Sequence, residues 1–171
     1  MRIIAGRHAG RHLTSPGGRV RPTPEEVRAR CLDLVTEELK DASVVDLFAG
    51  SGAVGLEALS RGAASVDFVE NGPAALHALK ANVAALRESA RTRIFKKDAV
   101  AWIEGLEAGR YDIAFVDPPY GSKKLDRVVD RWRAVPFART LILEHDRSHE
   151  VRAKGKQHDF EGQTRITILR A

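Results

Sequence analysis

"DLFAGSGAVGLEA", residues 46–58, contains G-x-G-x-x-G at Gly50, Gly52 and Gly55, and an acidic residue, Glu70, follows Gly50 by twenty positions. This is the pattern of a strand, a tight turn and a helix whose N-terminal N–H groups receive a ligand, and its best-known ligand is the pyrophosphate of a dinucleotide. Glycine lets any ligand approach the backbone closely, so the loop alone does not choose among them.

The surrounding chain alternates strand and helix. The runs "SVVDLF", "SVDFVE", "DIAFVD" and "RTLILE" are short, rich in β-branched residues and without clean polar alternation, as in strands covered on both faces of a parallel sheet. "TRIFKKDA" reads as a weaker strand. Between them, Leu76, Leu79, Val83 and Leu86 form one helical stripe and Leu125, Val128, Val129 and Trp132 another, and residues 99–107 read as a short helix. "QHDFEGQTRITILR" reads as a hairpin turning near Gly162. The fold expected is α/β, a Rossmann-like doubly wound sheet with an antiparallel C-terminal hairpin at one edge. Ahead of it, residues 2–5 and 11–14 read as a short basic β-hairpin. A helix is expected over residues 24–40, capped by Thr23, with Pro24 at its first position and Glu26 completing a capping box.

Asp46, at the end of the first strand, would repel a pyrophosphate. The amino acid end of S-adenosylmethionine carries an ammonium and no phosphate, and it favours a carboxylate there. Glu70 suits the two ribose hydroxyls common to both ligands. "DPPY", Asp117–Tyr120, follows the strand "DIAFV" and falls at the carboxyl edge where such sheets hold their ligands. Hydride transfer has no evident use for it. Methylation of an exocyclic amino group does, because that nitrogen's lone pair is delocalised into its base. Asp117 and the Pro118 carbonyl, each accepting one N–H, would bias the nitrogen toward a tetrahedral shape, and Tyr120 offers a face on which an extruded base stacks.

Charge points to a polyanion. Residues 1–30 hold Arg2, Arg7, Arg11, Arg19, Arg21, Arg28 and Arg30 against Glu25 and Glu26, an excess equal to the whole net charge of +5. A second basic stretch begins at Lys123 and Lys124. The single cysteine, Cys31, forms no internal disulfide and shares a helical face with Val27 and Val35, so it reads as a core residue lying far from D-P-P-Y. His145 and His149 lack the helix and the third ligand of a zinc site, so no metal is expected. Trp102 reads as a packing anchor. No apolar run approaches transmembrane length and no leader pattern is evident, so a cytoplasmic protein without membrane contact is expected, as a monomer.

With those residues in hand, the chain resembles the RsmD family of bacterial methyltransferases, which modify a guanine N2 of small-subunit ribosomal RNA. The resemblance rests on "MRIIAGRHAGRHL", "RPT", "DLFAGSGAVGLEALSRGA", "FVE", the "LKANV" helix with Asn82, and "DPPY". It implies a class I S-adenosylmethionine-dependent methyltransferase fold. Residues 1–43 would then be a basic RNA-contacting extension and residues 44–171 the catalytic domain. Asp46, Ala49, Gly50, Ser51 and Gly52 would surround the methionine part of the cofactor, Glu70 its ribose, and Asp98 with Ala99 its adenine. Asp117, Pro118 and Tyr120 would hold the target guanine. Arg2, Arg7, Arg11, Arg19, Arg21, Lys123 and Lys124 would grip 16S rRNA within an assembled or partly assembled 30S subunit. The competing readings are a DNA adenine-N6 methyltransferase, which shares D-P-P-Y, a protein glutamine methyltransferase, whose motif begins with asparagine, and a non-catalytic RNA-binding or ribosome-assembly factor.

Overall fold

The computed structural model describes residues 1–17, 24–160 and 162–171. Thr23, Arg19 and Arg21, expected as a helix cap and as RNA contacts, lie outside the described residues.

Each apolar run becomes a strand. β1 (Ser43–Leu47), β2 (Ser65–Glu70), β3 (Thr92–Lys96), β4 (Tyr111–Val116) and β5 (Ala138–Asp146) are parallel, and β6 (Lys156–Asp159) and β7 (Thr164–Arg170) add an antiparallel edge. The order across the sheet is β3-β2-β1-β4-β5-β7-β6. Successive connections lead one way from β1 and then return to its other side at β4, so a crevice opens at the carboxyl ends of β1 and β4.

Both faces are covered, which is why the strands lack polar alternation. On one face Ile3, Leu13, Leu32, Leu56, Leu79 and Val83 pack with Val44, Phe68, Phe115 and Ile142. This face carries the N-terminal segment, α1 (Glu25–Asp33), α3 (Ala53–Ser60) and α4 (Pro73–Ala85). The opposite face carries α5 (Ala99–Ile103) and α6 (Lys124–Ala134), whose Val100, Ile103, Leu125, Val128 and Trp132 meet Val45, Leu47, Val116 and Leu143. Trp102 stacks obliquely between Phe95 and Tyr111, an anchor as expected.

Three local expectations are corrected. The helix expected over 24–40 is two pieces, α1 and α2 (Thr36–Leu39). Val35 leaves helical geometry at φ −127° while staying buried, and the Thr36 hydroxyl donates back to the carbonyls of Leu32 and Asp33, at 3.3 and 3.1 Å, in competition with the backbone ladder. The helix expected over 99–107 ends at Ile103, where Gly105 and Leu106 close tighter three-residue turns onto Trp102 and Ile103. The N-terminal hairpin is narrower than two four-residue strands. It pairs only at Arg2 and His12, flanked by Ile3 N–H to Arg11 and Leu13 N–H to Met1, both at 2.9 Å. No helix among the described residues is long and apolar enough to cross a membrane.

Candidate active site

Side chains alternate along a strand, so those continuing the first core face at the carboxyl edge form one row. In sheet order these are Glu70 on β2, Asp46 on β1, Asp117 just past β4 and Glu144 on β5. The register pairing Val116 with Leu143 sets Asp117 beside Glu144. Asp46 and Asp117 therefore flank the crevice from facing strands.

The glycine loop leaves β1 through Phe48, whose φ is +64°, and turns at Gly50 (φ +56°) and Gly52 (φ +79°) into α3. The three glycines do different work. A Cβ at Gly50 would meet nothing within 4 Å, so this position borders open space suited to a ligand. At Gly52 a Cβ would lie 2.3 Å from Leu79 Cδ1, and at Gly55 2.4 Å from Phe68 Cε1, so these two admit close packing of α3. The Ala49 N–H donates to Val69, and the Ala49 carbonyl accepts from Gly52 at 2.7 Å, closing the turn over β2.

Asp46 is buried and accepts the Gly55 N–H at 2.9 Å, so its carboxyl also braces α3. Burial, reinforced by the charges of Asp117 and Glu70, pushes its pKa up to about 8. Glu70 accepts N–H donation from Gly50 at 2.8 Å, Asn71 at 2.8 Å and Gly72 at 2.7 Å, which fixes its carboxylate at the loop. Asp98 caps α5 by accepting from Ala101 at 3.1 Å, and its other oxygen meets Lys124 Nζ at 3.2 Å. The Ala101 N–H first, and then Lys124, hold the Asp98 carboxyl below its ordinary range. Ala99 is buried directly behind it.

At D-P-P-Y, Pro118 is buried, Asp117 half-buried and Tyr120 51% exposed, so the Tyr120 ring is presented to solvent beside the Asp117 carboxylate. The Tyr120 hydroxyl lies 3.4 Å from Thr164 Oγ1, and the Ser122 N–H to Pro119 carbonyl bond closes the turn. Pro118, Tyr120, Ser122, Leu125, Glu144 and His149 line a cleft of about 30 Å³ here. A larger hollow of about 620 Å³, between α1 and β6 at Arg30, Asp33 and Phe160, contains none of the expected site residues.

Cys31 is buried, as expected, but it is not remote from D-P-P-Y. α1 crosses the face beneath the carboxylate row, and Glu144 and Asp117 both act on the thiol, adding to burial in pushing it up. That environment disfavours a thiolate. His145 is buried with its ring nitrogens engaged by Thr167 and the Asp146 carbonyl, and no cluster of metal-ligating side chains is present among the described residues.

Among the described basic residues expected at RNA, Arg2, Arg7, Arg11 and Lys123 are exposed and Lys124 is half-buried, and the three arginines also have internal partners. Arg2 pairs with Glu25 at 3.3 Å, Arg7 with buried Glu88, and Arg11 donates to the Ala85 carbonyl at 3.0 Å. The hairpin is seated on α3 and α4: Glu57, fully buried, accepts the N–H groups of Ile4 and Ala5, at 2.8 and 2.9 Å, and Ser60 bonds Ala5 and His8. Glu144 and Asn82 are site neighbours that pattern reading did not assign. Strand parity beside Asp117 would have found Glu144. Asn82, a buried amide on an otherwise apolar helical stripe, was itself a signal.

A doubly wound sheet with this strand order, a glycine turn after β1 and D-P-P-Y after β4 defines the class I S-adenosylmethionine-dependent methyltransferase fold. The solved structure of yhhF from Escherichia coli superposes with a TM-score of 0.85 at 30% identity, over 98% of this chain and 96% of that one. The family model described as conserved hypothetical protein 95 matches residues 1–164, and the chain belongs to this family, the RsmD family. The "Ribosomal RNA small subunit methyltransferase D" of Escherichia coli K12 is 36% identical over 133 residues, 76% of this chain and 65% of that relative. Its namesake from Buchnera aphidicola subsp. Acyrthosiphon pisum is 32% identical over 87% of this chain and 80% of its own length.

Proposed function

We propose that the protein methylates ribosomal RNA of the small subunit, at the exocyclic N2 of a guanine, using S-adenosylmethionine. The observation that carries the reading is the row Glu70, Asp46, Asp117, Glu144 along the carboxyl edge of one face. A row of carboxylates repels phosphate and attracts a cation, and the open side of Gly50 leaves room beside it. A buried acid pushed up to about 8 regains its charge most easily beside a cationic ligand, which fits the ammonium of this cofactor. Asp46, Ala49, Gly50, Ser51 and Gly52 would hold its methionine part, Glu70 its ribose, and Asp98 with Ala99 its adenine.

When bound, the cofactor supplies a methyl group on an electron-poor sulfonium centre. The chain's own work is placement. Asp117 and the Pro118 carbonyl accept the two N–H groups of the amino nitrogen and turn its lone pair out of conjugation, and Tyr120 stacks on the base. The amino nitrogen would gain the methyl as the sulfur–methyl bond breaks, leaving neutral S-adenosylhomocysteine, and would give up one proton to water or to Asp117. Arg2, Arg7, Arg11, Lys123 and Lys124, together with Arg19 and Arg21, contact the phosphates of 16S rRNA within a small subunit, the protein acting as a cytoplasmic monomer. The extension 1–43 serves RNA contact and residues 44–171 catalysis.

The test is transfer of labelled methyl to small subunits from a strain lacking the enzyme, to the same RNA stripped of protein, and to duplex DNA. N2-methylguanosine from the subunits is expected. N6-methyldeoxyadenosine from DNA, or no transfer to any of the three, would overturn the reading.

A further inference from the structure

Asn82 stands on α4 with its side chain buried, 2% exposed, and makes three hydrogen bonds to two separate segments. Its carbonyl accepts the Thr14 N–H at 2.7 Å, and its amide donates to the Thr14 carbonyl and to the Ser51 carbonyl, both at 2.9 Å. Thr14 directly follows the hairpin that carries Arg2, Arg7 and Arg11. Ser51 lies between Gly50 and Gly52 in the turn that borders the cofactor space. One amide thus ties the basic N-terminal segment to the loop on which cofactor binding depends.

We propose that Asn82 is a positioning residue that couples RNA engagement by the N-terminal segment to the shape of the glycine loop, so that RNA and cofactor each bind more tightly with the other in place. The inference rests on the reading above that this segment contacts RNA. Several observations give the coupling a short physical path. The Ser51 carbonyl has no helix partner at that point of the chain, and the Asn82 amide supplies one. The turn around it has left-handed backbone at both flanking glycines, φ +56° and +79°, so its conformation depends on such tethers. On the other side, Thr14 is exposed but held at both its N–H and its carbonyl, a two-point grip that transmits displacement of the segment. α3 adds a parallel path: Gly52 caps its N-terminus, while Glu57 and Ser60 near its C-terminal end hold Ile4, Ala5 and His8.

Two variants separate the halves of the link. Asn82→Ala removes all three bonds. Thr14→Pro removes the Thr14 N–H and leaves the Asn82 to Ser51 bond available, so it loosens the segment alone. The measurement is calorimetric affinity for S-adenosylhomocysteine, without and with saturating deproteinised small-subunit rRNA, together with filter binding of that RNA with and without the same ligand. By linkage the two ratios must agree within one protein. In the unaltered protein the ratio is expected to be about fivefold or more. Thr14→Pro should keep the RNA-free affinity and bring the ratio toward one. Asn82→Ala should weaken the RNA-free affinity several-fold and also lose the ratio. Merely structural damage would lower both affinities and the melting temperature and leave the ratio in place, and that result would overturn the proposal. A ratio of one in the unaltered protein would overturn it as well. Failure of the unaltered protein to bind RNA at all would remove the functional reading and, with it, the coupling, and the filter assay registers that outcome separately.

Discussion

Lys124 Nζ stands 3.2 Å from Asp98 Oδ2, so a residue expected at RNA is bound to a residue expected at the adenine end of the cofactor. The ammonium also lies 5.6 Å from the centre of the Phe48 ring, over the exit of β1. Both charged side chains are more than a third exposed, which limits what the pair contributes. Lys124→Ala is expected to change S-adenosylhomocysteine affinity by about threefold or less, the size of an exposed pair. It should reduce the salt dependence of RNA binding by roughly one phosphate contact. Asp98→Asn should weaken the cofactor more than Lys124→Ala does. Titration calorimetry and binding at two salt concentrations read both effects.

In the mechanism proposed, transfer turns on Asp117. Asp117→Asn keeps the shape of the turn but replaces one accepting oxygen by a donor, so turnover should fall about 100- to 1000-fold. Cofactor affinity should fall far less than turnover, because one charge of the row is lost while Asp46 and Glu70 remain. Near-normal single-turnover transfer by this variant would remove Asp117 from the mechanism.

Glu144 stands beside Asp117 in the same row, at the edge where a guanine would present N1–H next to its amino group. With both amino N–H groups taken by Asp117 and the Pro118 carbonyl in the proposed mechanism, the Glu144 carboxylate would accept the N1–H. Glu144→Gln is expected to lower kcat/KM roughly tenfold or more on guanine, and to matter less on RNA carrying 2-aminopurine at the target position, which lacks the N1–H. Equal losses on the two substrates would place Glu144 outside base recognition.

Asp46 gives a pH dependence whose sign can be worked out. Its pKa is about 8 in the folded protein, against roughly 3.9 for an unfolded aspartate. Between those values the folded state holds a proton that the unfolded chain has lost. Its contribution to stability is therefore full below about pH 4 and declines as pH rises, until it is gone above about pH 8. Cofactor binding restores the charge, so at pH 7 it should release close to one proton. Calorimetry in buffers of different ionisation enthalpy measures that release, and Asp46→Asn should abolish it.

Much of this arrangement was legible in the chain. Apolar runs bounded by turn residues marked the five parallel strands because burial on both faces leaves a strong local signature. D-P-P-Y and the glycine loop were legible because each needs particular residues at particular spacing. What lay hidden depends on contacts between distant segments. The break after Asp33 comes from Val35 seeking the core and from the hydroxyl of Thr36, and neither disturbs the helical pattern of residues 24–40. The nearness of Cys31 to Asp117 follows from the path of α1 over the sheet, which no local pattern encodes. Nothing in the local pattern singles out Glu57 or Glu88, yet both are buried under the N-terminal hairpin.

The glycines offer a check on packing against function. Gly55→Ala would press a methyl into Phe68 and Val66, with contacts of 2.4 and 2.8 Å, and should cost about 1–3 kcal/mol of stability by thermal or urea unfolding. Gly50→Ala meets no neighbour but must hold φ +56°, so its stability loss should be nearer 1 kcal/mol and its effect on cofactor affinity larger than that of Gly55→Ala.

The seating of the hairpin on Glu57, Ser60 and Glu88 has a thermodynamic consequence for RNA. Its backbone is already committed: a Cβ at Gly6 would fall 1.9 Å from the Ser60 carbonyl oxygen, with no gap left between hairpin and helix. An incoming polyanion meets a finished relief and organises no arm on arrival. Association should therefore lack the large negative heat-capacity change of folding upon binding, and its speed should follow charge and ionic strength. Shortening the chain from this end would take the Ile4 and Ala5 N–H groups from sunken Glu57, and Arg7 and His8 from sunken Glu88, leaving Glu57 to Arg61 and Glu88 to Arg91, so the segment is part of the foundation of the sheet as well as, in the function proposed, its reach toward RNA.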